Sequence, residues 1–290
     1  NKMILNNNPI TLPRYYNEYQ EIEEIGKGGF GHVFKSLYYL DKRFYAIKKV
    51  LVSPNKIKNL DSIIKEIAIL SRLQHNNIVR YYTSWAEPFI LMEDDTLTNV
   101  LKNNNVALVA DFQNSDSENN TSSEEYNQQS EKNYSLVVKD RNSFPKGQNI
   151  KIMFYIQTEL CLKENLNHFL EKRKEINISE NIKIIKQIVD GIYYLHSLNI
   201  IHNDLKPSNI LFSGEGVIKI TDFGLSNFSY NEISIDDYEG TYLYKDPYNN
   251  IINKYADIYS LGVIILELFS QFDTQMERYV VLSKLKKNVI

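Results

Sequence analysis

The segment HNDLKPSN at residues 202–209, followed by DFG at residues 222–224, decides the fold. Transfer of a phosphoryl group needs a carboxylate that orients the attacking hydroxyl, cations that neutralise charge, and oxygen ligands for those cations. Asp204 fits the first role and Lys206 can reach the transferred phosphate. Asn209 and Asp222 offer hard oxygen ligands of the kind that Mg²⁺ prefers. A polar loop that caps a helix would explain one or two of these residues, but not all four in this order.

A glycine cluster near the N-terminus, GKGGFGHV at residues 26–33, has the spacing G-x-G-x-x-G-x-V. Glycines permit close backbone approach, so amide N–H groups can cover phosphate oxygens. A dinucleotide-binding turn shares this spacing, but its glycines open a helix, whereas residues 33–37 have the composition of a strand. A glycine-rich hairpin without a ligand is the alternative. The candidate phosphate-covering residues are Gly26, Gly28 and Gly31.

The triplet AIK at residues 46–48 follows on the next predicted strand. A lysine between apolar neighbours is commonly a solvated edge residue, but a helix with an inward apolar face is predicted at 61–73, with Asp61 as its N-cap. Glu66 lies on that helix. The pattern therefore predicts a buried ion pair of Lys48 with Glu66 in which Lys48 holds phosphates. Breaking such a pair costs about 3–5 kcal/mol.

Composition and charge exclude several classes of protein. The 290 residues are 43% hydrophobic and carry a net charge of −3, which gives no overall basic field for direct nucleic-acid binding. Cys161 is the single cysteine, which excludes an internal disulfide framework and a multi-cysteine zinc site. No run approaches the roughly 20 apolar residues of a membrane span, and the N-terminus lacks a secretory signal pattern. We therefore expect no membrane segment in this chain.

The order of the periodic segments predicts an α+β protein of two lobes. The predicted strands lie at residues 19–25, 44–50, 78–85 and 150–159, and the predicted long helices lie at 179–198 and 255–270. We assign a β-rich lobe to 1–158 and a helical lobe to 159–290. Residues 93–149 are rich in Asn, Ser, Gln and acidic side chains, so this low-complexity insertion in the first lobe is predicted to be largely disordered.

Taken in this order, the motifs resemble those of the eukaryotic protein kinases, from about residue 21 to the C-terminus apart from the insertion. The resemblance implies a bilobal fold with one main helix in the N-lobe, the use of ATP and Mg²⁺, and catalytic roles for Asp204, Lys206, Lys48 and Glu66. Lys206 and Thr241 favour serine/threonine specificity. The resemblance also implies an adenine site formed by Val33, Ala46 and Leu211, by the backbone of Glu159 and Cys161, and by Thr158 behind it.

Shorter stretches resemble one subfamily, the stress-responsive kinases that phosphorylate the alpha subunit of translation initiation factor 2. They are HNNIVRYY at 75–82, YIQTELC at 155–161, GTYLY at 240–244 and TQMER at 274–278. This resemblance implies repression of translation under stress, docking of the substrate on a helix that begins near Thr274, and a cytoplasmic location or the cytoplasmic face of a membrane. It also implies a homodimer through the N-lobe. The dimer contact residues would be Arg14, Glu18 and Tyr81.

Three departures from the family pattern leave alternatives open. Asn203 stands where most regulated kinases carry arginine, and Asp236 falls where the subfamily has a phosphorylated threonine, so we expect weaker dependence on activation-loop phosphorylation. DPY at 246–248 replaces a proline–glutamate pair whose glutamate anchors the loop to a later arginine. By the family pattern, we expect the last helices of the C-lobe to lie beyond Ile290. A nucleotide-binding pseudokinase and an active kinase with another substrate are the alternatives.

Overall fold

The computed structural model describes residues 4–5, 8–9, 13–28, 31–52, 57–89, 108–109, 137–138, 151–228, 242–247 and 253–288. Most of the predicted insertion lies outside the described residues, as do Thr241 and Asp236. Two short strands within the insertion, Leu108–Val109 and Val137–Val138, pair in antiparallel orientation. The prediction of disorder at 93–149 therefore falls on residues that the structure largely leaves undescribed.

The N-lobe is built on an antiparallel sheet. The elements of the lobe are β1 (Ile4–Leu5), β2 (Asn8–Pro9), α1 (Arg14–Glu18), β3 (Tyr19–Gly28), β4 (Gly31–Tyr38), β5 (Phe44–Val52), α2 (Ile57–Leu70), β6 (Tyr81–Phe89), β7 (Leu108–Val109), β8 (Val137–Val138) and β9 (Lys151–Glu159). The sheet has five strands in the order β3-β4-β5-β9-β6. Val33 lies opposite Lys48, and Ala46 lies opposite Thr158. Because side chains alternate along a strand, Ala46 and Lys48 point to the same face of the sheet.

Helix α2 begins earlier than the sequence suggested. It spans Ile57–Leu70, so the predicted bounds 61–73 and the N-cap role of Asp61 were wrong. The reason is that Ile57 and Leu60 continue the apolar spacing of the helix toward its N-terminus, which places Asp61 inside it. Ile63 of α2 packs with apolar side chains of β5 and β9. This packing fixes the helix beside the sheet.

The N-lobe also contains a cluster of stacked aromatic rings. Tyr15 of α1 and Tyr155 of β9 stack at 4.9 Å, and Trp85 of β6 stacks on Tyr155 at 5.0 Å between centroids. Tyr15 is fully buried. Offset aromatic pairs contribute about 0.5–1.5 kcal/mol each beyond the burial of their area. The cluster therefore attaches the five-residue helix α1 to the sheet.

The C-lobe is mainly helical. Its elements are α3 (Leu166–Lys172), α4 (Ile178–Ser197), β10 (Ile200–Ile201), β11 (Ile210–Phe212), β12 (Ile218–Ile220), β13 (Asn227–Phe228), α5 (Lys254–Phe269) and α6 (Gln275–Asn288), with 3-10 turns at Pro207–Asn209 and Tyr242–Tyr244. Asn177 caps α4 by accepting from the backbone N–H of Glu180 at 3.1 Å. A Cβ at Gly191 of α4 would lie 2.8 Å from Cδ1 of Ile220 and 3.3 Å from the carbonyl oxygen of Asn77, so the glycine allows the close approach of α4 to β12.

Backbone hydrogen bonds join the two lobes beside the site. The N–H of Val79 donates to the carbonyl of Ile220, and the N–H of Ile220 donates to the carbonyl of Asn77, both at 2.9 Å. The predicted α+β arrangement of a β-rich lobe followed by a mainly helical lobe is confirmed. The sheet ends at Glu159, and the domain boundary between 158 and 159 stays a prediction. Among the described helices, none has the length and hydropathy that a membrane span requires.

Candidate active site

A cleft of about 440 Å³ lies between the sheet of the N-lobe and the β11–β12 hairpin of the C-lobe. The residues of the predicted nucleotide site that line this cleft are Gly26, Gly31, Val33, Ala46, Lys48, Thr158, Glu159, Cys161 and Leu211. The candidate metal ligands Asn209 and Asp222 line it too, together with Lys206 and Glu66. Gly28 pairs with Gly31 across β3 and β4. The structure therefore brings together residues that are far apart in the sequence.

The two described glycines at the roof of the cleft differ in what they require. A Cβ at Gly31 would lie 2.2 Å from the carbonyl oxygen of Lys49, so only glycine fits between β4 and β5. A Cβ at Gly26 would make only ordinary contacts with Val33, at 3.7 Å. The fold itself thus leaves room for a side chain at Gly26. Because Gly26 has no side chain, its backbone stays accessible to a ligand in the cleft.

The predicted ion pair is present. The Nζ of Lys48 lies 2.6 Å from Oε1 of Glu66 and 3.6 Å from Oδ1 of Asp222. The Lys48 side chain is 17% exposed and that of Glu66 only 4%. Burial alone would lower the pKa of Lys48, but the carboxylates of Glu66 and Asp222 outweigh it and raise that pKa above its ordinary value. Lys48 is therefore held as a cation that points into the cleft.

Asp204 is buried and held by two neighbours from the same loop. Its Oδ2 accepts from Nζ of Lys206 at 2.8 Å and from Nδ2 of Asn209 at 3.0 Å. The same Nδ2 also donates to the backbone carbonyl of Asp204 at 2.8 Å. Because its amide nitrogen is engaged in this way, Asn209 has its amide oxygen left to serve as a ligand.

The donor set of the site suits a hard cation that keeps other ligands. Asn209 and Asp222 provide one amide and one carboxylate oxygen, and the described residues contain no cluster of three or more His, Cys, Asp or Glu side chains with metal-ligand geometry. Mg²⁺ commonly takes only one or two protein ligands and completes its shell with water and phosphate oxygens. These residues therefore fit Mg²⁺ bound together with a nucleotide.

Asp257 of α5 holds the catalytic loop by its backbone. Its fully buried carboxylate accepts from the N–H of His202 at 2.9 Å and from the N–H of Asn203 at 2.8 Å. His196 of α4 contacts the same carboxylate at 2.8 Å. Sequence reasoning noted the helix that contains Asp257 but gave the residue no role. The signal that could have found it is an acidic residue in the first turn of a strongly apolar helix.

His202 and Phe223 connect the catalytic loop to the candidate metal ligand. The Nδ1 of His202 accepts from the N–H of Asp204 at 3.2 Å, and its Nε2 donates to the carbonyl of Thr221 at 3.0 Å. This pattern assigns the proton of a neutral ring to Nε2. The ring of Phe223 packs on His202 at 5.1 Å, and Asp222 has φ of +67°. The buried contacts fix Asp222 in a conformation that aims it at the cleft.

The strand that leads into the second lobe ends in a further ion pair. Oε1 of Glu159 accepts from Nζ of Lys219 at 2.9 Å and from the N–H of Arg80 at 2.7 Å. The sequence predicted a role only for the backbone of Glu159 and missed Lys219, because an alternating strand does not reveal its partner. Burial, assisted by the charge of Glu159, raises the pKa of the neighbouring Cys161 thiol to about 12. The thiol is therefore neutral at physiological pH.

The predicted substrate and dimer residues lie away from the cleft. Thr274 is exposed and caps α6, since its Oγ1 accepts from the N–H of Glu277 at 3.1 Å. Arg14 and Glu18 pair with each other at 2.9 Å within α1, and the guanidinium of Arg14 lies 4.5 Å from the Trp85 ring centroid. The structure therefore gives Arg14 and Glu18 a contact within one chain.

Tyr81 of β6, the third predicted dimer residue, shares a hydrogen bond of 2.8 Å with Ser84. The described contacts of these residues do not test the predicted interface between subunits.

Comparison with known proteins gives two kinds of match. The family model of the protein kinase domain matches residues 19–139 and 98–279. The chain is 32% identical, over 97% of its length, to the eIF-2-alpha kinase GCN2 of Arabidopsis thaliana. It is 28% identical over 93% of its length to eukaryotic translation initiation factor 2-alpha kinase 1 of Rattus norvegicus, and 32% identical over 95% to the interferon-induced, double-stranded RNA-activated protein kinase of the same species.

The chain spans only part of these relatives. It covers 22% of the Arabidopsis protein, 60% of the rat factor 2-alpha kinase 1 and 45% of the rat RNA-activated kinase. The similarity therefore concerns the region that carries the cleft described above.

Proposed function

Because the chain belongs to the protein kinase family, we propose that it is a serine/threonine kinase that transfers the γ-phosphate of ATP to the alpha subunit of translation initiation factor 2. The observation that supports catalysis most is the joint contact of Lys48 with Glu66 and Asp222. This contact joins the sheet, helix α2 and the C-lobe in one arrangement. A protein that only bound a partner would not need these three charges to lie next to one another.

The nucleotide would lie in the cleft with its phosphates beneath β3 and β4. Lys48 supplies a fixed positive charge to phosphate oxygens, and Glu66 holds the ammonium in place. The side chains of Val33, Ala46 and Leu211 offer an apolar sandwich for the adenine. The flat faces of a purine gain free energy from such burial, at about 25 cal/mol per Å² of apolar surface. These features support ATP as the phosphate donor.

The transfer itself would be organised by Asp204 and Lys206. The acceptor hydroxyl oxygen forms a bond to the γ-phosphorus, the bond from that phosphorus to the β–γ bridging oxygen breaks, and ADP leaves. Asp204 orients the hydroxyl and accepts its proton. Lys206, which donates to Asp204 at 2.8 Å, lies close enough to neutralise charge on the transferred group. The chain thus supplies orientation and electrostatics rather than a covalent intermediate.

Asn209 and Asp222 would hold Mg²⁺ in this site. The ion would neutralise charge on the phosphates. The chain itself keeps two oxygen ligands at fixed positions. The hydrogen bond to Asp204 holds Asn209, and the packing of Phe223 on His202 holds the neighbouring Asp222. The fit of the donor set supports Mg²⁺ as the metal.

Asn203 supports a weaker dependence on phosphorylation of the activation loop. Its Nδ2 donates to the carbonyl of Leu225 at 3.4 Å, at the beginning of that loop. An asparagine cannot pair with a phosphate as an arginine does. Its contact with the backbone gives the beginning of the loop a direct link to the catalytic loop without a phosphate. We therefore extend the proposal to a kinase that is active with an unphosphorylated loop.

Similarity to kinases of initiation factor 2 alpha supports the substrate and, with it, a role in repressing translation under stress. The exposed side chains of Met276 and Tyr279 beside Thr274 offer a docking surface on α6. A cytoplasmic location, or the cytoplasmic face of a membrane, belongs to this proposal because the substrate takes part in translation.

A homodimer through the N-lobe is also part of the proposal. The exposed pair of Arg14 and Glu18 could exchange partners across two chains. A surface pair of this kind contributes only about 0–1 kcal/mol, so the exchange would cost little.

Phosphate transfer to the purified alpha subunit tests the proposal. The wild-type protein should phosphorylate a serine or threonine, identified by mass spectrometry, and Asp204→Asn should lower kcat by roughly 10²–10⁴-fold. Myelin basic protein serves as a second acceptor. Transfer to myelin basic protein alone would remove the substrate assignment but keep the kinase. Equal signals from wild type and Asp204→Asn would oppose catalysis by this site.

A further inference from the structure

A buried carboxylate links α5 to the segment that follows the activation loop. Glu267 is 1% exposed, and a buried charge of this kind needs partners for both oxygens. Its Oε1 lies 2.5 Å from Nε of Arg278, which belongs to α6. Its Oε2 accepts from the hydroxyl of Tyr244 at 2.8 Å. Two partners from two different elements therefore meet at one carboxylate.

Arg278 connects these elements to the catalytic side of the C-lobe. Its Nη2 donates to the hydroxyl of Tyr244 at 2.9 Å, and its Nη1 donates to Oδ1 of Asn167 in α3 at 2.7 Å. The planar guanidinium can make these contacts together because its donors form a fixed fork. The backbone carbonyl of Tyr244 also accepts from Ser260 of α5 at 2.7 Å. Tyr244 is thus held by its side chain and its backbone.

Lys286 forms a second contact between α6 and the same turn. Its side chain is largely buried, and its Nζ donates to the backbone carbonyl of Tyr242 at 2.5 Å. The same Nζ lies 3.6 Å from the centroid of the Tyr242 ring. Arg278 and Lys286 are separated by about 12 Å along the helix, at 1.5 Å per residue. The turn Tyr242–Tyr244 is therefore fixed to α6 at two points.

The turn Tyr242–Tyr244 borders a cavity that also reaches the catalytic loop. A cavity of about 410 Å³ separates the catalytic loop from α6. Residues of both sides line it, among them Lys206, Pro207, Leu243, Tyr244, Arg278 and Tyr279. Lys206 contacts Asp204, so a chain that occupied this cavity would bring its hydroxyl close to the proposed base. Position 248, where the family has an anchoring glutamate, is a tyrosine in this sequence.

We propose that Arg278 and Lys286 are positioning residues, which clamp the turn Tyr242–Tyr244 to α6 so that a protein docked on α6 presents its hydroxyl to Asp204. The inference rests on the proposed function, because it assigns a role in the use of a protein acceptor. In the part of the chain that the structure describes, the hydrogen-bond partners of Arg278 and Lys286 do not include a residue that lines the nucleotide cleft. Loss of the clamp should therefore reduce use of a protein acceptor and leave ATP affinity unchanged.

Lys286→Met tests the clamp with a matched control on the same helix. Methionine keeps an apolar stem but removes the donor, whereas Lys284 is exposed, so Lys284→Met changes charge equally without touching the turn. Lys286→Met should lower kcat/KM for the factor 2 alpha subunit about tenfold or more, since a charged hydrogen bond is lost. Lys284→Met should stay within about twofold of wild type. Lys286→Arg, which restores a donor, should recover most of the loss.

Arg278→Lys gives a second measurement at the other point of the clamp. Lysine keeps the charge beside Glu267 but cannot reach Tyr244 and Asn167 together. The same fall in kcat/KM for the protein acceptor is expected, with an unchanged Kd for ATP. The melting temperature of each variant shows whether it is folded. If Arg278→Lys is unfolded, the kinetics of the Lys286 variants decide whether the clamp is present.

Hydrogen exchange makes the test independent of activity. Backbone amides of residues 242–246 should exchange about tenfold faster in Lys286→Met than in wild type or Lys284→Met. Unchanged exchange, or a fall in ATP affinity that parallels the loss with the protein acceptor, would overturn the clamp. Absence of phosphate transfer by wild type would instead count against the proposed function, and the exchange result would still decide the clamp.

Discussion

The ion pair of Lys48 with Glu66 provides the sharpest prediction about the nucleotide site. Glu66→Gln keeps the shape of the side chain and removes its charge. Both partners are charged in the wild type and only the Lys48 ammonium in Glu66→Gln, so the contact should fall from the upper to the lower end of the about 1.5–3 kcal/mol of a charge-assisted hydrogen bond. The difference of about 1–1.5 kcal/mol corresponds to a fall in kcat/KM for ATP of about five- to thirteenfold. Glu66→Ala leaves the buried ammonium of Lys48 with Asp222 alone, at 3.6 Å. This variant should lower the free energy of unfolding by about 3–5 kcal/mol.

The pH dependence of the same variant gives an independent readout. Lys48 is charged below its pKa, and in the wild-type protein Glu66 and Asp222 raise that pKa against the effect of burial. Without the Glu66 charge the opposing effect of burial is less compensated, so the pKa falls. The alkaline limb of kcat/KM for ATP should then move to lower pH in Glu66→Gln.

Steady-state kinetics with ATP as the varied substrate, from about pH 6 to about pH 11, measures both effects, since the ordinary pKa of a lysine is about 10.4. Glu23→Gln is the matched control, because Glu23 forms an exposed pair with Lys35 at 3.7 Å that contributes little. This control should stay within about twofold of wild type and keep its pH profile. A Glu66→Gln protein with wild-type kcat/KM and an unmoved alkaline limb would refute the reasoning about Lys48.

Three further predictions concern the surroundings of the cleft. Burial raises the pKa of the Cys161 thiol to about 12, so only a small fraction is thiolate at pH 8. Its reaction with iodoacetamide at that pH should therefore be at least about a hundredfold slower than that of glutathione. Similar rates, measured by mass spectrometry, would contradict the burial. Lys219→Met removes the cation that holds Glu159, so KM for ATP should rise about five- to tenfold, and an unchanged KM would mean that this pair does not shape the site. Replacing every serine and tyrosine at 229–238 should retain at least about a third of kcat, because Asn203 holds the beginning of the loop without a phosphate; abolished activity would contradict this.

The fold was predictable wherever a segment had a clear period of its own. The apolar spacing of α4 predicted residues 179–198, and the observed helix is Ile178–Ser197. The start of α2 was missed because Asp61 looked like a cap, although an aspartate on the solvent side of a helix gives the same local signal. Local propensity could not decide between these positions. The apolar residues Ile57 and Leu60, which precede Asp61 and continue the spacing of the helix, account for the earlier start.

The candidate site was predictable where its residues form compact motifs, and not where they are single residues in other elements. Asp204, Asn209 and Asp222 lie in short recognisable segments. In the structure, Asn209 and Asp222 line one cleft, and Asp204 is hydrogen-bonded to Asn209. Asp257, which acts from another helix, binds the backbone of the catalytic loop, and no local spacing encodes that contact. The role of such a residue depends on tertiary structure.

The central claim is that Asn209 and Asp222 hold a metal that is bound together with the nucleotide. Calorimetric titration of ATP into wild type and Asp222→Asn, with and without Mg²⁺, tests this claim most directly. We predict that Mg²⁺ strengthens ATP binding to wild type by at least about tenfold, on the order of one charge-assisted contact, and that this gain is lost in Asp222→Asn. An equal gain from Mg²⁺ in both proteins would contradict the claim.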